Sequence, residues 1–189
     1  MEVFLTSAFV VAIAEIGDKT QLLAIVLATR FRKPWPIIAG ILVATLANHA
    51  LAAWAGYLVS GLLSGLWFRY AVAASFIAMA LWTLVPDKED ELRQAPGAGV
   101  FMTTVVAFFL VEIGDKTQVA TVALAARFHS VLTVAAGTTL GMMLANVPAV
   151  LLGERVTRIV PLKFVRIGAA LIFLGLGLWA LADTAGLLG

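Results

Sequence analysis

Offset by 97 residues, the chain matches itself. Glu15 falls on Glu112, Asp18 on Asp115, Arg30 on Arg127 and Phe31 on Phe128. Further along, Gly40 falls on Gly137, Gly56 on Gly153, Arg69 on Arg166, Phe76 on Phe173 and Leu81-Trp82 on Leu178-Trp179. A one-residue slip in the second segment of each half brings L-A-N at 46–48 onto L-A-N at 144–146. A register kept this long marks a duplicated unit, and the segments it covers are apolar. Hydrophobic residues make up 62% of the 189 residues and charged residues only 13%, with a mean hydropathy of +1.02. A soluble domain carries about a quarter charged residues, so this composition belongs in a bilayer.

A crossing helix needs roughly 20 apolar residues. Breaks in the apolar pattern predict six spans, at 4–29, 36–59, 67–85, 100–126, 131–152 and 163–182. The connectors are R-F-R-K-P-W-P at 30–36, S-G-L-L-S-G at 60–65 and the charged P-D-K-E-D-E-L-R-Q-A-P-G at 86–97. The expected fold is an all-α integral membrane protein of six transmembrane helices, built as two inverted three-helix repeats. Residues 1–85 form the first repeat, 86–99 a charged cytoplasmic linker and 100–189 the second. Three spans is an odd number, so the second copy enters from the opposite face, the usual plan of secondary transporters. With the N-terminus outside, the inner connectors hold Arg30, Arg32, Lys33, Lys88, Arg93, Arg155, Arg158, Lys163 and Arg166, and the outer ones only Arg69 and Arg127. The positive-inside rule then predicts both termini outside and the central loop in the cytoplasm. The opening M-E-V-F-L-T-S-A has no positive n-region and reads as the start of the first span. The net charge of +2 is small and unpatched, which argues against nucleic acid, and without cysteine there is no disulfide or thiolate site.

Against this background stand A-E-I-G-D-K-T-Q at 14–21 and V-E-I-G-D-K-T-Q at 111–118. Glu15 lies about 17 Å into its span at roughly 1.5 Å per residue, near the bilayer centre, and Glu112 is placed alike. A charge there costs at least ~2.5–3.5 kcal/mol, so Glu15, Asp18, Lys19, Glu112, Asp115 and Lys116 must face one another or water. On a continuous helix the glutamate and aspartate of each motif leave one face a turn apart. Gly17 and Gly114 weaken the helix between them and invite a local break that would free carbonyl ligands. Thr20, Gln21, Thr117 and Gln118 add neutral oxygens. Four carboxylates against two lysines leave a formal −2, which one divalent cation or two protons would balance, as a metal/proton exchanger needs. Oxygen donors suit Ca²⁺, Mn²⁺ or Mg²⁺. Such an ion would be cargo, bound transiently, with no resident cofactor.

Buried Glu–Lys and Asp–Lys pairs that merely lock the halves together would leave that excess unexplained, and they are weak evidence for stability. An intramembrane hydrolase using paired carboxylates lacks a GxSxG or HExxH and has no histidine in the motif, so no enzyme is expected. Asn48 and Asn146 read equally as interhelical glue or as metal ligands. His49, without a counterpart in the second half, reads as a packed histidine, although Mn²⁺ accepts imidazole. His129 reads as interfacial, and Trp35, Trp67, Trp82 and Trp179 as interface anchors. G-T-T-L-G at 137–141 matches a small-residue packing motif.

The doubled E-x-G-D-K-T resembles the GDT family of calcium/manganese cation:proton antiporters, whose eukaryotic members reside in the Golgi and whose bacterial members export manganese. The resemblance covers essentially the whole chain, and each motif precedes an apolar run ending A-x-R-F. It implies divalent cation transport with Glu15, Asp18, Glu112 and Asp115 as acidic ligands, in exchange for protons. The short six-span form implies the bacterial branch, in the inner membrane, exporting Mn²⁺. A channel with the same acidic site and a Ca²⁺-selective Ca²⁺/H⁺ antiporter are the alternatives. The partners implied are divalent ions, protons and lipid, with self-association left open.

Overall fold

A computed structural model describes residues 1–62, 65–85, 99–153 and 162–187, and for 162–166 the backbone alone. Most of the expected linker at 86–99, together with Arg155 and Arg158, lies outside them. The described residues form eight α-helices and no strand. These are α1 (Glu2–Glu15), α2 (Lys19–Phe31), α3 (Pro34–Leu62), α4 (Leu66–Thr83), α5 (Val100–Glu112), α6 (Lys116–Phe128), α7 (Val131–Leu152) and α8 (Leu162–Thr184). Four stretches are long and apolar enough to cross a membrane: Pro34–Leu62, Leu66–Thr83, Val131–Leu152 and Ile167–Thr184. The spans expected at 4–29 and 100–126 are each two short helices, α1 with α2 and α5 with α6, with the break that Gly17 and Gly114 invited. Both breaks fall in the acidic motif. A hydropathy window averages across such a break, because the flanking residues are as apolar as a continuous span.

The molecule is apolar outside and partly polar inside. Phe9, Leu51, Trp54, Leu81, Leu110 and Leu171 are more than half exposed. The buried stripe of α3 runs Ile37, Ile41, Ala44, Thr45, Asn48, His49, Ala52, Gly56, at the three-and-four spacing of one helix face. In water this would be inverted; in lipid it lets polar side chains satisfy one another between helices. Trp35, Trp67 and Trp82 are exposed within two residues of a helix end, where amphipathic rings anchor at an interface. Trp179 lies further in, with the Arg127 guanidinium 4.7 Å from its ring centre.

Helices pack across the two halves. α1 and α2 lie on α7, α5 and α6 lie on α3, α3 packs on α7, and α4 packs on α8. Glycines set these approaches. A Cβ on Gly137 would meet the Phe4 carbonyl oxygen at 2.6 Å and Ser7 at 2.9 Å, and one on Gly141 would run into the Ala8 carbonyl and the Ala12 nitrogen. The G-T-T-L-G stretch therefore seats α1 on α7. In the other half a Cβ on Gly40 would meet Thr104 at 2.7 Å and the Phe101 carbonyl oxygen at 3.0 Å. Phe101 and Thr104 are Phe4 and Ser7 displaced by the same offset of 97, so here the repeat holds in space without a slip.

Candidate cation site

E-I-G-D-K-T-Q takes one conformation twice. α1 ends at Glu15; Ile16 then has φ −64° and ψ 117°, Gly17 has φ 80°, and the Asp18 N–H donates to the Glu15 carbonyl at 3.1 Å. In the second half Ile113 has φ −62° and ψ 120°, Gly114 has φ 77°, and the Asp115 N–H donates to the Glu112 carbonyl at 3.1 Å. These are type II turns, whose third position needs positive φ and hence glycine. The aspartates, extended at φ −83° and −77°, then serve as N-caps of α2 and α6. Three residues on, Gln21 Oε1 accepts the Gly17 N–H at 2.9 Å and Gln118 Oε1 accepts the Gly114 N–H at 2.7 Å. This resembles the back-reaching half of a capping box, shifted by one residue. Gln21 also donates from Nε2 to the Ala145 carbonyl at 3.1 Å, tying the turn to α7. The glutamine oxygens, expected as supporting donors, thus serve the turn itself.

The break also changes how the carboxylates meet. Glu15 and Asp18 do not lie a turn apart on one helix; one ends a helix and the other starts the next. Glu15, Asp18 and Asp115 nevertheless each offer an oxygen within 4.8 Å of the other two, at 0%, 6% and 3% exposure. Two turns from opposite halves therefore build one acidic cluster. Lys19 Nζ lies 3.2 Å from Asp115 Oδ1, bridging from the first motif to the second. Lys116 Nζ donates to the Val85 carbonyl at 3.2 Å. The Thr117 hydroxyl donates to Asp115 Oδ2 at 3.4 Å, and Thr20 is buried beside the first turn.

Glu112 is as buried as Glu15 but stands outside that group of three. Its Oε1 accepts from Thr45 Oγ1 at 3.0 Å, and its Oε2 is 3.8 Å from His49 Nε2. Glu15 Oε1 instead accepts from Asn146 Nδ2 at 3.3 Å, and Asn146 donates also to the Met142 carbonyl at 3.1 Å. Asn48 Nδ2 donates to the Phe109 carbonyl at 3.0 Å, tying α3 to α5, and the Asn48 amide also hydrogen-bonds the Glu112 side chain.

Asn146 on α7 faces the glutamate of the first half, and from α3 Asn48 faces the glutamate of the second together with Thr45 and His49, so the paired asparagines of L-A-N do meet the paired glutamates. The unslipped offset of 97, which the glycine contacts follow, puts 49 on 146 and Thr45 on Met142. Sequence reasoning passed over Thr45.

An apolar-faced helical protein that gathers three carboxylates and a lysine in its interior has the arrangement of a membrane cation carrier. Comparison with known proteins agrees. The chain belongs to the family of divalent cation/proton antiporters GDT1, which it matches over residues 3–91 and 100–187. It is 51% identical to a Vibrio cholerae protein named "Putative manganese exporter", over 92% of this chain and 88% of that one. It is 28% identical to a GDT1-like protein of Synechocystis, over 90% and 92% of the two chains. With GDT1-like protein 5 of Arabidopsis thaliana it shares 24% identity, over 94% of each. No solved structure matches it.

Proposed function

We propose that this protein exports Mn²⁺ from the bacterial cytoplasm in exchange for protons, with Glu15, Asp18, Asp115 and Glu112 as the acidic ligands. The observation that carries this reading is the meeting of Glu15, Asp18 and Asp115 from two separate turns in the interior. Those four carboxylates against Lys19 and Lys116 leave a formal −2, matched by one divalent ion or by two protons. Exchange follows if the site crosses loaded one way with metal and the other way with protons, since an unbalanced −2 in hydrocarbon is costly. Hard oxygen ligands admit both Mn²⁺ and Ca²⁺, and the name of the Vibrio relative favours manganese.

In this reading α1 with α2, and α5 with α6, each cross as one interrupted span, so residues 1–85 and 100–189 are inverted repeats of three crossings joined by the linker at 86–99. The packing of α1 and α2 on α7, and of α5 and α6 on α3, supports it. Ser60 with His129 (3.1 Å), and Asp183 with Arg69 (2.9 Å) and Arg127 (2.7 Å), gather at one end of the molecule. That is the end the positive-inside rule places outside, with both termini.

Proteoliposomes with an imposed pH gradient test the function. Mn²⁺ flux should follow the sign and size of the gradient, and single-channel currents without such coupling would show a pore instead. Topology is tested by a cysteine at Gln94, expected to be shielded from impermeant thiol reagents in intact cells; labelling from outside would reverse the orientation.

A further inference from the structure

The second motif carries a feature the first lacks. His49 is fully buried, and neither of its ring nitrogens has a hydrogen-bond partner among the described residues; the facing Glu112 Oε2 has none either. An unsatisfied buried polar group costs roughly 1–3 kcal/mol, so the facing Nε2 and Oε2 ask for an occupant. The Nε2-to-Oε2 distance of 3.8 Å is too long for a hydrogen bond. Two ligands on one transition ion, each roughly 2.1 Å from it, lie at most about 4.2 Å apart, so 3.8 Å admits an ion between them. Thr45, one turn before His49 on the same face of α3, donates to the other oxygen of Glu112 at 3.0 Å and so orients the carboxylate.

We propose that His49 and Glu112 form a metal subsite beside the three-carboxylate cluster, one that takes a transition divalent cation through an imidazole nitrogen and so discriminates against calcium. Calcium takes oxygen ligands, whereas imidazole is a ligand of first-row transition ions. The related position on α7, Asn146, already donates to Glu15 and gives that side no nitrogen ligand. The two halves of the pathway thus differ in ligand type although their motifs do not. This inference rests on the transport reading above and adds the source of its metal preference.

The test uses the full chain in nanodiscs and proteoliposomes, with Mn²⁺ and Ca²⁺ as probes. Pulsed EPR of bound Mn²⁺ should show nitrogen modulation from a directly coordinated imidazole, and His49→Asn, which installs the residue of the counterpart position, should remove it. In flux assays the same variant should lower the ratio of Mn²⁺ to Ca²⁺ transport by about tenfold or more, the scale of losing a metal-orienting group. His49→Gln, closer in volume, should do the same and guards against a packing artefact. Mn²⁺ bound by the unaltered chain without nitrogen modulation overturns the subsite, as does a variant that loses both ions in equal proportion. If the unaltered chain binds and carries neither ion, the transport reading itself falls, and the subsite with it.

Discussion

The first motif meets α7 and the second meets α3, and these two helices present different side chains to turns of identical sequence. At Glu15 the partner is Asn146; at Glu112 the partners are Thr45, Asn48 and His49. Glu15 joins both aspartates in the cluster and Glu112 stands aside. Lys19 reaches across to Asp115, while Lys116 donates to the end of α4 at Val85. Duplication reproduced the backbone faithfully because seven residues suffice to set it. The chemistry of each copy diverged because it depends on a helix that lies far away in sequence.

The largest effects should come from the aspartates, which the cluster draws equally from both halves. Asp18→Asn and Asp115→Asn should each lower Mn²⁺ flux by about two orders of magnitude, because ligand charge sets affinity at such sites, while the protein still inserts and elutes as one species. Wild-type flux in either would mean that one motif alone carries the ion.

Next in size is a contrast between two glycines, read by thermal unfolding. Gly141→Ala pushes a methyl group into the backbone of α1 and should cost about 1–3 kcal/mol or more through overpacking. Gly114→Ala has open space around its Cβ and pays only for its φ of 77°, about 1–2 kcal/mol. Equal losses would mean that the α1–α7 contact is looser than the glycines imply.

Smaller again is the contrast between the lysines. Lys19→Ala removes an ammonium 3.2 Å from Asp115 and should tighten Mn²⁺ binding by roughly three- to tenfold, since a nearby cation opposes a divalent one, while slowing turnover. Lys116→Ala should change affinity less and thermal stability more, because its ammonium holds a carbonyl at the end of α4. Titration calorimetry of both variants with Mn²⁺ checks this, and matching affinities would erase the asymmetry between the motifs. The smallest effect is expected at Asp183 and its two arginines. Arg69→Ala leaves Asp183 its bond to Arg127, and an exposed pair is worth at most about 1 kcal/mol, so unfolding should barely shift.

The sequence by itself determined the solvent, the duplication and the special backbone of the motif. A charged fraction of 13% cannot coat a soluble fold of this size. Glycine third in E-I-G-D permits the positive φ of a type II turn, and aspartate with glutamine three residues on is a helix-start signal, so even the break is written in the heptapeptide once hydropathy averaging is set aside. These are short-range effects, decided by torsions and hydrogen bonds within a few residues. Only the tertiary structure decided that Glu15, Asp18 and Asp115 share a cluster, that Glu15 turns to Asn146, and that Glu112 turns to Thr45, Asn48 and His49. Each of these depends on which helix face packs against which turn, often more than sixty residues away. That choice is made by glycine-sized gaps such as those at Gly40, Gly137 and Gly141, whose fit exists only when both helices are in place.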